Sequence, residues 1–417
     1  MRGQPRTATT RWPLSPHLPP GALQGEGVPA CLPSRGHEAR MAVSIADPAA
    51  LPSVLVYRDR IVPRSEAQFM RRQYLGFTRL APVWVGCRTD DGLADLGASP
   101  LILGGDGPFG AVRRLLFKQA GIVPDLAMLR ARRPRIVHAQ FGRGGTLALP
   151  LARALGLKLV VTFHGGDATK TTHYRRRLLP TVYQRRLAAL QREAAAFVCV
   201  SDFIRDVLRE RGFPADKLIV LRNGVDIGPE PAVQTPERPY VLFAGRLVAK
   251  KGLLHLLQAH RLLGPAAPDL VAIGDGPDAA ALRQEAADLP QVRFLGWQDN
   301  AAVRTWMRGA LAVCVPSVTA ASGDSEGLPT VAIEAMAEGV PVIGTRHAGI
   351  IEAVADGETG FLVPQADPAA LAAAIASLRD APDQRTAMGR AARARALAAF
   401  DAVKQSRRLE DLLLSLA

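Results

Sequence analysis

The sequence lacks any apolar run long enough to cross a membrane, although 48% of its 417 residues are hydrophobic. A spanning helix needs about 20 consecutive apolar residues, and the best candidate, residues 146–163, is interrupted by Arg153 and Lys158. We interpret that stretch as a helix followed by a buried strand. The chain is longer than an ordinary domain of about 100–200 residues, so we expect two domains.

Cysteines are few and show no metal-binding pattern. The four of them, Cys31, Cys87, Cys199 and Cys314, are far apart and form no CxxC pair or His/Cys cluster. This distribution argues against a zinc site and for a reducing compartment, so we predict a cytoplasmic protein. Cys199 and Cys314 lie in apolar runs and are expected to be buried.

Aromatic residues make up only 5% of the chain, whereas the net charge is +14. Residues 1–230 hold 34 Lys and Arg against 18 Asp and Glu, so the basic excess lies in the first half. Few aromatic side chains for base stacking, and no zinc-finger or recognition-helix signature, argue against nucleic acid as a partner. Two interpretations stay open: peripheral contact with the anionic inner face of the cytoplasmic membrane, and a solvated basic surface. The main basic clusters are 113–118, 130–135, 175–177 and 185–186.

The first 50 residues differ in composition from the rest. The first forty are rich in Pro, Gly and Arg and contain no apolar stretch typical of a secretory signal. We expect residues 1–50 to be disordered, or to reflect an over-extended gene start ahead of Met41.

From residue 54 onward, short β-branched runs alternate with helical stretches, a rhythm typical of parallel sheets covered by helices. A Pro-rich stretch, residues 228–239, interrupts this rhythm and is expected to be a linker. Residues 382–417 have helical spacing and should form terminal helices. The sequence therefore predicts two doubly wound α/β domains, 51–230 and 231–400, followed by a helix over 401–417. The predicted strands are 54–57, 83–87, 135–141, 158–163, 197–201, 218–221, 240–244, 270–273, 292–295, 311–315, 341–344 and 360–363.

Polar turns that follow strands are the candidate ligand sites, because ligands of open α/β sheets bind beyond the carboxyl ends of the strands. After strand 240–244, Gly245 lets a phosphate approach the backbone, and Arg246 and Lys251 can bind it. The spacing is not GxxxxGK[ST], so ATP hydrolysis is not indicated. The GxG turn at 274–276 is weak evidence for a ligand site, because Gly276 is better explained by a tight turn.

The segment 315–339 carries the strongest pattern. Pro329 suits the first turn of a helix and Gly339 its end, which places Glu326 in the preceding loop and Glu334 within the helix. If a diphosphate binds at the start of this helix, two carboxylates beside it would repel it. We therefore expect the carboxylates to face neutral hydroxyls, from which they accept hydrogen bonds. The amides expected to surround an anion at the helix start are those of Gly327, Leu328 and Thr330.

Together these motifs resemble the retaining glycosyltransferases of family four. EGLPTVAIE matches the Glu-x7-Glu motif of that family, and FAGRLVAKKG, AIGDGP and GVPVIGTRHAGIIEAVADGETGFLVP occur in the family's order, so the resemblance covers nearly all of residues 54–400. VHAQFG, FHGGD and PSVTAASGDSEGLP look most like bacterial exopolysaccharide and colanic-acid-type enzymes. The resemblance implies the GT-B architecture, in which two Rossmann-like domains face a cleft. It also implies transfer of a sugar, with retention of anomeric configuration, from a UDP- or GDP-sugar to a glycan or lipid-linked acceptor.

The resemblance also implies roles for individual residues. The first domain would bind the acceptor and the second the donor, with no further cofactor. Arg246 and Lys251 match the pair that neutralises the donor diphosphate. Glu326 matches the carboxylate facing the transferred sugar, Glu334 the one that binds the nucleotide ribose, and His164 the histidine near the donor sugar.

The sequence departs from the family pattern at one turn, and two alternative functions remain to be distinguished. The turn over residues 58–66 lacks the Gly-Gly pair common in the family and looks more like its Pro-x-Ser-Glu variant, which leaves acceptor recognition undefined. The acidic pair Asp90 and Asp91 is expected to be a solvated turn, so we predict no metal. The alternative functions are a nucleotide-sugar epimerase of the same architecture and a non-catalytic sugar-binding protein.

Overall fold

The computed structural model describes residues 51–62, 68–90, 99–175, 178–231 and 238–417. The predictions for residues 1–50 (Cys31 among them) and for 63–66, Asp91, 176–177 and 232–237 lie outside these ranges. The strands are β1 Ser53–Tyr57, β2 Arg60–Ile61, β3 Ala81–Gly86, β4 Arg88–Thr89, β5 Leu101–Ile102, β6 Pro134–Gln140, β7 Lys158–Phe163, β8 Ala196–Cys199, β9 Leu218–Val220, β10 Tyr240–Ala244, β11 Asp269–Ile273, β12 Val292–Gly296, β13 Ala312–Val315, β14 Val342–Thr345 and β15 Gly360–Val363. The helices are α1 Gln68–Arg72, α2 Pro108–Ala120, α3 Leu126–Arg130, α4 Gly142–Leu155, α5 Gly166–Thr169, α6 Thr171–Tyr174, α7 Val182–Glu193, α8 Asp202–Glu210, α9 Leu253–Leu263, α10 Ala279–Glu285, α11 Asn300–Gly309, α12 Thr330–Ala337, α13 Ile350–Ala353, α14 Pro368–Asp380, α15 Pro382–Ala399 and α16 Ala402–Leu416.

Two parallel sheets organise the chain. The first has the order β5-β3-β1-β6-β7-β8-β9, and the second β12-β11-β10-β13-β14-β15. In each sheet the chain first adds strands outward on one side of a central strand and then returns to add strands on its other side. This change of direction lies between β1 and β6 in the first sheet and between β10 and β13 in the second, which is the doubly wound arrangement. The predicted fold class is therefore confirmed. We call the first sheet with its helices the first lobe, and the second sheet with its helices the second lobe.

The strands are buried because their sequences are nearly continuous apolar runs, as expected for parallel sheets covered on both faces. All five residues of β1 and all five of β11 are buried. Every predicted strand is present within two residues of its predicted bounds. The sequence missed β2, β4 and β5, which have two residues each and are too short to produce a periodic signal.

The terminal helices α15 and α16 confirm the helical prediction for residues 382–417. Although it follows the second lobe in sequence, α16 packs on the first, where Leu409 and Leu413 join the core that contains Val54 and Trp84. The chain thus crosses between the lobes twice, and the two crossings touch: Val225 N donates to Phe400 O at 2.8 Å.

Two further expectations can be compared with the structure. Cys199 and Cys314 are buried free thiols, as predicted, and burial raises the pKa of each to about 12. Within the described residues, no helix has the length and apolar character that a membrane crossing requires.

Candidate active site

The candidate site lies where the order of the second sheet reverses. The turn after β10 carries Lys250 and Lys251, and the loop after β13 carries Asp324 and Glu326. The two segments meet at Gly252, which has φ +70°, where a side chain would collide with the carbonyl oxygen of Pro316. Glycine at this position therefore brings the basic turn against the acidic loop.

Lys251 and Glu326 form an ion pair inside this site. Nζ of Lys251 lies 3.0 Å from Oε1 of Glu326, and the two side chains are 20% and 9% exposed. Ser317 Oγ donates to the same oxygen at 3.4 Å. Burial opposes ionisation of Glu326, but Lys251 and Lys250 outweigh it and lower the pKa of the carboxyl. Glu326 is therefore a buried carboxylate that stays charged at neutral pH.

Asp324 joins the two lobes. Its Oδ1 lies 3.0 Å from Nζ of Lys250 in the second lobe, and its Oδ2 lies 3.2 Å from Nζ of Lys170 in the first. Beside it, Ser325 N donates to Thr169 Oγ1 at 3.0 Å. The loop that carries the predicted donor residues is thus held directly against the first lobe.

His164 follows β7 and lies at the same junction. Gly327 packs so closely on the carbonyl oxygen of His164 that a side chain at position 327 would collide with it. The structure therefore brings together His164, Glu326 and Lys251, three of the residues predicted from the sequence.

A network of hydrogen bonds fixes the His164 ring and its turn. Nε2 of His164 lies 2.7 Å from Oε1 of Gln140, at the end of β6. The amides of His164 and Gly165 both donate to Asp167 Oδ1, at 3.0 and 2.9 Å. Burial, with smaller contributions from Arg58 and His138, lowers the pKa of His164 to about 3. The imidazole is therefore neutral at physiological pH.

Glu334 lies within α12, as predicted, but its contacts differ from those of Glu326. Arg72 Nη1 donates to Glu334 Oε1 at 2.6 Å, and Asn300 Nδ2 donates to the same oxygen at 3.1 Å. Pro329 is the N-cap of α12 rather than part of its first turn, and Gly339 ends the helix with φ +73°. Gly327 and Leu328 are buried just before the helix, and Thr330 is its first residue.

Two predicted residues lie apart from these contacts. Arg246 is exposed after Gly245, and no ion pair involves it within the described ranges. Asp90, just after β4, pairs with Arg60 of β2, whose Nη2 lies 2.9 Å from Oδ2; the two side chains are 36% and 64% exposed. In the described part of the chain, no group of three or more His, Cys, Asp or Glu side chains could hold a metal ion.

Sequence reasoning missed several residues of the site. Arg72 and Lys170 belong to no motif, and Asp324 lies within the segment PSVTAASGDSEGLP without a predicted role. His347, which follows β14, is 6% exposed and its Nε2 has no hydrogen-bond partner in the described structure. His347 lies just after β14 and so gave a signal, whereas Asp324 lies in the long loop between β13 and α12, two residues before Glu326.

The chain matches known families and proteins over most of its length. A family model described as Glycosyltransferase Family 4 matches residues 81–229, and one described as Glycosyl transferases group 1 matches residues 230–395. AmsK of Erwinia amylovora, an amylovoran biosynthesis glycosyltransferase, is 31% identical over 68% of this chain and 70% of its own. WcaL of Escherichia coli K12, named for colanic acid biosynthesis, is 34% identical over 59% of this chain and 61% of its own. The chain thus spans about three fifths of the length of WcaL.

A solved structure shares the fold. The crystal structure of Anabaena HepE in complex with UDP and glucose has a TM-score of 0.72 and covers 88% of this chain and 100% of that chain. The sequence identity is 19%, so the likeness concerns the architecture of two Rossmann-like lobes.

Proposed function

Because this chain belongs to glycosyltransferase family 4, we propose that it transfers a sugar from a nucleotide-sugar donor to a glycan or lipid-linked acceptor. The observation that carries the proposal is the buried pair of Lys251 and Glu326, where the second sheet reverses its order. The names of WcaL and AmsK support a role in making cell-surface polysaccharide.

The donor diphosphate is proposed to bind at the lysine side of the site. When the bond to the anomeric carbon breaks, negative charge grows on the leaving diphosphate, so groups that bind this charge stabilise the transition state more than the ground state. Lys251 supplies a point charge, and the exposed Arg246 can add bidentate contacts. The amides of Gly327, Leu328 and Thr330 at the start of α12 would contribute their dipoles.

The transferred sugar is proposed to lie between Glu326 and His164. Glu326 stays ionised and accepts hydrogen bonds from sugar hydroxyls. Nε2 of the neutral His164 ring donates to Gln140 Oε1, so the ring adds no positive charge beside a sugar that itself becomes cationic. Glu334 is proposed to accept hydrogen bonds from the hydroxyls of the nucleotide ribose.

The proposed reaction retains the anomeric configuration. The acceptor oxygen forms a bond to the anomeric carbon on the face from which the phosphate oxygen leaves, and that phosphate oxygen takes the acceptor proton. This route requires the protein only to bind the negative charge of the leaving diphosphate and to hold the donor and acceptor in position. A hydrolase would instead need two carboxylates across the scissile bond, whereas here Glu326 is paired with Lys251 and Glu334 with Arg72.

We further propose that the first lobe docks on an anionic membrane, where a lipid-linked acceptor would be found. Helix α2 buries only Gly110 and Phe117. Another face of the helix exposes apolar side chains at helical spacing: Phe109 (81% exposed), Val112 (53%) and Leu116 (42%). A helix with an apolar solvent-facing side among basic residues is typical of interfacial binding.

The same surface extends to the segment before α7. Leu178 and Leu179 are almost fully exposed. Arg185, in the first turns of α7, donates to Gln119 of α2 at 2.8 Å, so α7, which begins just after these leucines, is a neighbour of α2. Exposed leucines beside arginines suit a bilayer that is both apolar and anionic.

A transfer assay tests the catalytic proposal. The purified chain is incubated with labelled UDP- and GDP-sugars, with and without a pool of lipid-linked acceptors from a polysaccharide-producing bacterium. We expect label in the lipid fraction only when acceptor is present, and an NMR spectrum that shows the anomeric configuration of the donor. A new sugar formed from donor alone would favour an epimerase instead. Donor binding without any turnover would favour a sugar-binding protein.

A further inference from the structure

Arg72, the last residue of α1 in the first lobe, reaches across to the second lobe. Its Nη1 donates to Oε1 of Glu334 at 2.6 Å, and each of the two side chains is 9% exposed. Nε donates to Asp226 Oδ2 at 3.1 Å, and Nη2 donates to Asn300 Oδ1 at 3.2 Å. Three different nitrogens of one planar guanidinium are therefore engaged, so its orientation is fixed.

The contacts of Glu334 are one-sided. Asn300 Nδ2 donates to Oε1 at 3.1 Å, the same oxygen that Arg72 binds. Across the described ranges, both hydrogen bonds to the Glu334 carboxylate end on Oε1, which leaves Oε2 as the oxygen available to a ligand. A carboxylate held in this way is oriented before any ligand arrives.

We infer that Arg72 is a positioning residue for nucleotide recognition. It acts from the first lobe and holds Glu334 so that Oε2 can accept hydrogen bonds from the ribose hydroxyls. This inference rests on the proposed function, which assigns the ribose to Glu334. Because a buried carboxylate without a cation is strongly unfavourable, loss of Arg72 would let Glu334 turn away from this position.

The alternative is that Arg72 only ties the two lobes together. A structural tie would change the affinity for every ligand of the cleft by the same factor. A residue that positions the ribose-binding carboxylate changes the discrimination between a nucleotide that has the 2′-hydroxyl and one that lacks it. The ratio of the two affinities therefore separates the two roles.

The experiment is calorimetric titration of the full chain with UDP, 2′-deoxy-UDP, GDP and 2′-deoxy-GDP. We expect the wild type to prefer the ribonucleotide of one base over its deoxy form by about tenfold, the scale of a hydrogen bond to a charged group. Arg72→Met should bring this ratio close to one, and Arg72→Lys should restore part of it. Arg71→Met is the matched control, because Arg71 is the exposed neighbour on the same helix, and it should keep the wild-type ratio.

Two further variants keep the inference testable if Arg72→Met does not fold. Asp226→Asn removes one anchor of Arg72 without touching Glu334, and should lower the ratio less than Arg72→Met does. If Arg72→Met does not fold, as judged by its thermal melting curve, Arg72→Lys and Asp226→Asn carry the test. The inference is overturned if the folded Arg72 variants keep the wild-type ratio. Failure of the wild type to bind any of the four nucleotides would overturn the proposed function itself, and the inference with it.

Discussion

Lys251 and Glu326 form one buried ion pair, although each is proposed to bind a different part of the donor. The lysine would bind the diphosphate and the carboxylate would bind the sugar. Before the donor arrives, the pair compensates both charges, which keeps a buried carboxylate stable without ligand. A donor that enters the site must replace this contact with two others, so the pair sets part of the cost of binding.

Replacing Lys251 with Met should lower turnover by at least about tenfold, which corresponds to about 1.4 kcal/mol of transition-state stabilisation. Methionine keeps much of the apolar stem and removes the charge. The measurement is the rate of transfer at saturating donor. The control is Lys158→Met, which removes an exposed lysine from the start of β7. A folded Lys251→Met variant with wild-type turnover would exclude Lys251 from the donor site.

Asp324→Asn should destabilise the protein more than Lys170→Met does. The aspartate serves two lysines and is 17% exposed, whereas Lys170 is 40% exposed. We expect about 1–3 kcal/mol for the aspartate and no more than about 1 kcal/mol for the lysine. Urea unfolding at pH 7 gives both values. Equal losses for the two variants would mean that the pair of Asp324 with Lys250 adds nothing.

Stability should fall as the pH drops from 7 to 5, partly because of His164. Burial lowers the pKa of His164 from 6.5 in the unfolded chain to about 3 in the folded protein. Below pH 6.5 the unfolded chain therefore binds a proton that the folded chain does not bind until about pH 3. As the pH falls through this range, the free energy of unfolding decreases by up to about 1.4 kcal/mol per pH unit. His138 acts in the same direction, because its pKa is also lowered to about 3.

The measurement is the free energy of unfolding of wild type and His164→Asn at pH 7, 6 and 5. The variant should show the shallower decline. Identical slopes for wild type and His164→Asn would contradict the low pKa of His164.

Phe109→Ser combined with Leu116→Ser should weaken binding to anionic vesicles. Both side chains belong to the exposed apolar face of α2, and burying apolar surface in the bilayer contributes to binding along with charge. Flotation with vesicles containing an anionic phospholipid, at low and high salt, measures the effect. Leu262→Ser is the control, because Leu262 is 63% exposed on the second lobe. Equal recovery of wild type with neutral and anionic vesicles would rule out the docking proposal.

Much of the fold follows from local patterns in the sequence. Strand β10 was predicted over 240–244 and has those bounds, because an apolar run between two turn-forming segments determines both ends. The loop that carries Glu326 and the helix that carries Glu334 followed from Pro329 and Gly339, which mark the ends of that helix. These features depend on residues within a few positions of one another.

The partners of the site residues could not be predicted in this way. Arg72 and Glu334 are 262 positions apart, and Lys170 meets Asp324 across the lobes. No periodicity links such positions, since each contact depends on how the two lobes pack. The pair of Lys251 with Glu326 was also missed, because the sequence assigned each residue to a ligand and not to the other.

The packing of α16 has a consequence for the order in which the protein is made. Glu410 accepts hydrogen bonds from the amides of Thr78, Arg79 and Leu80 in the first lobe. During translation the first lobe leaves the ribosome first, but this loop stays without its carboxylate until residues 402–416 have emerged. The lobe synthesised earliest is therefore completed last. In the nascent chain, the apolar surface around Val54 and Trp84 stays uncovered, and so prone to aggregation, until the whole second lobe has been translated.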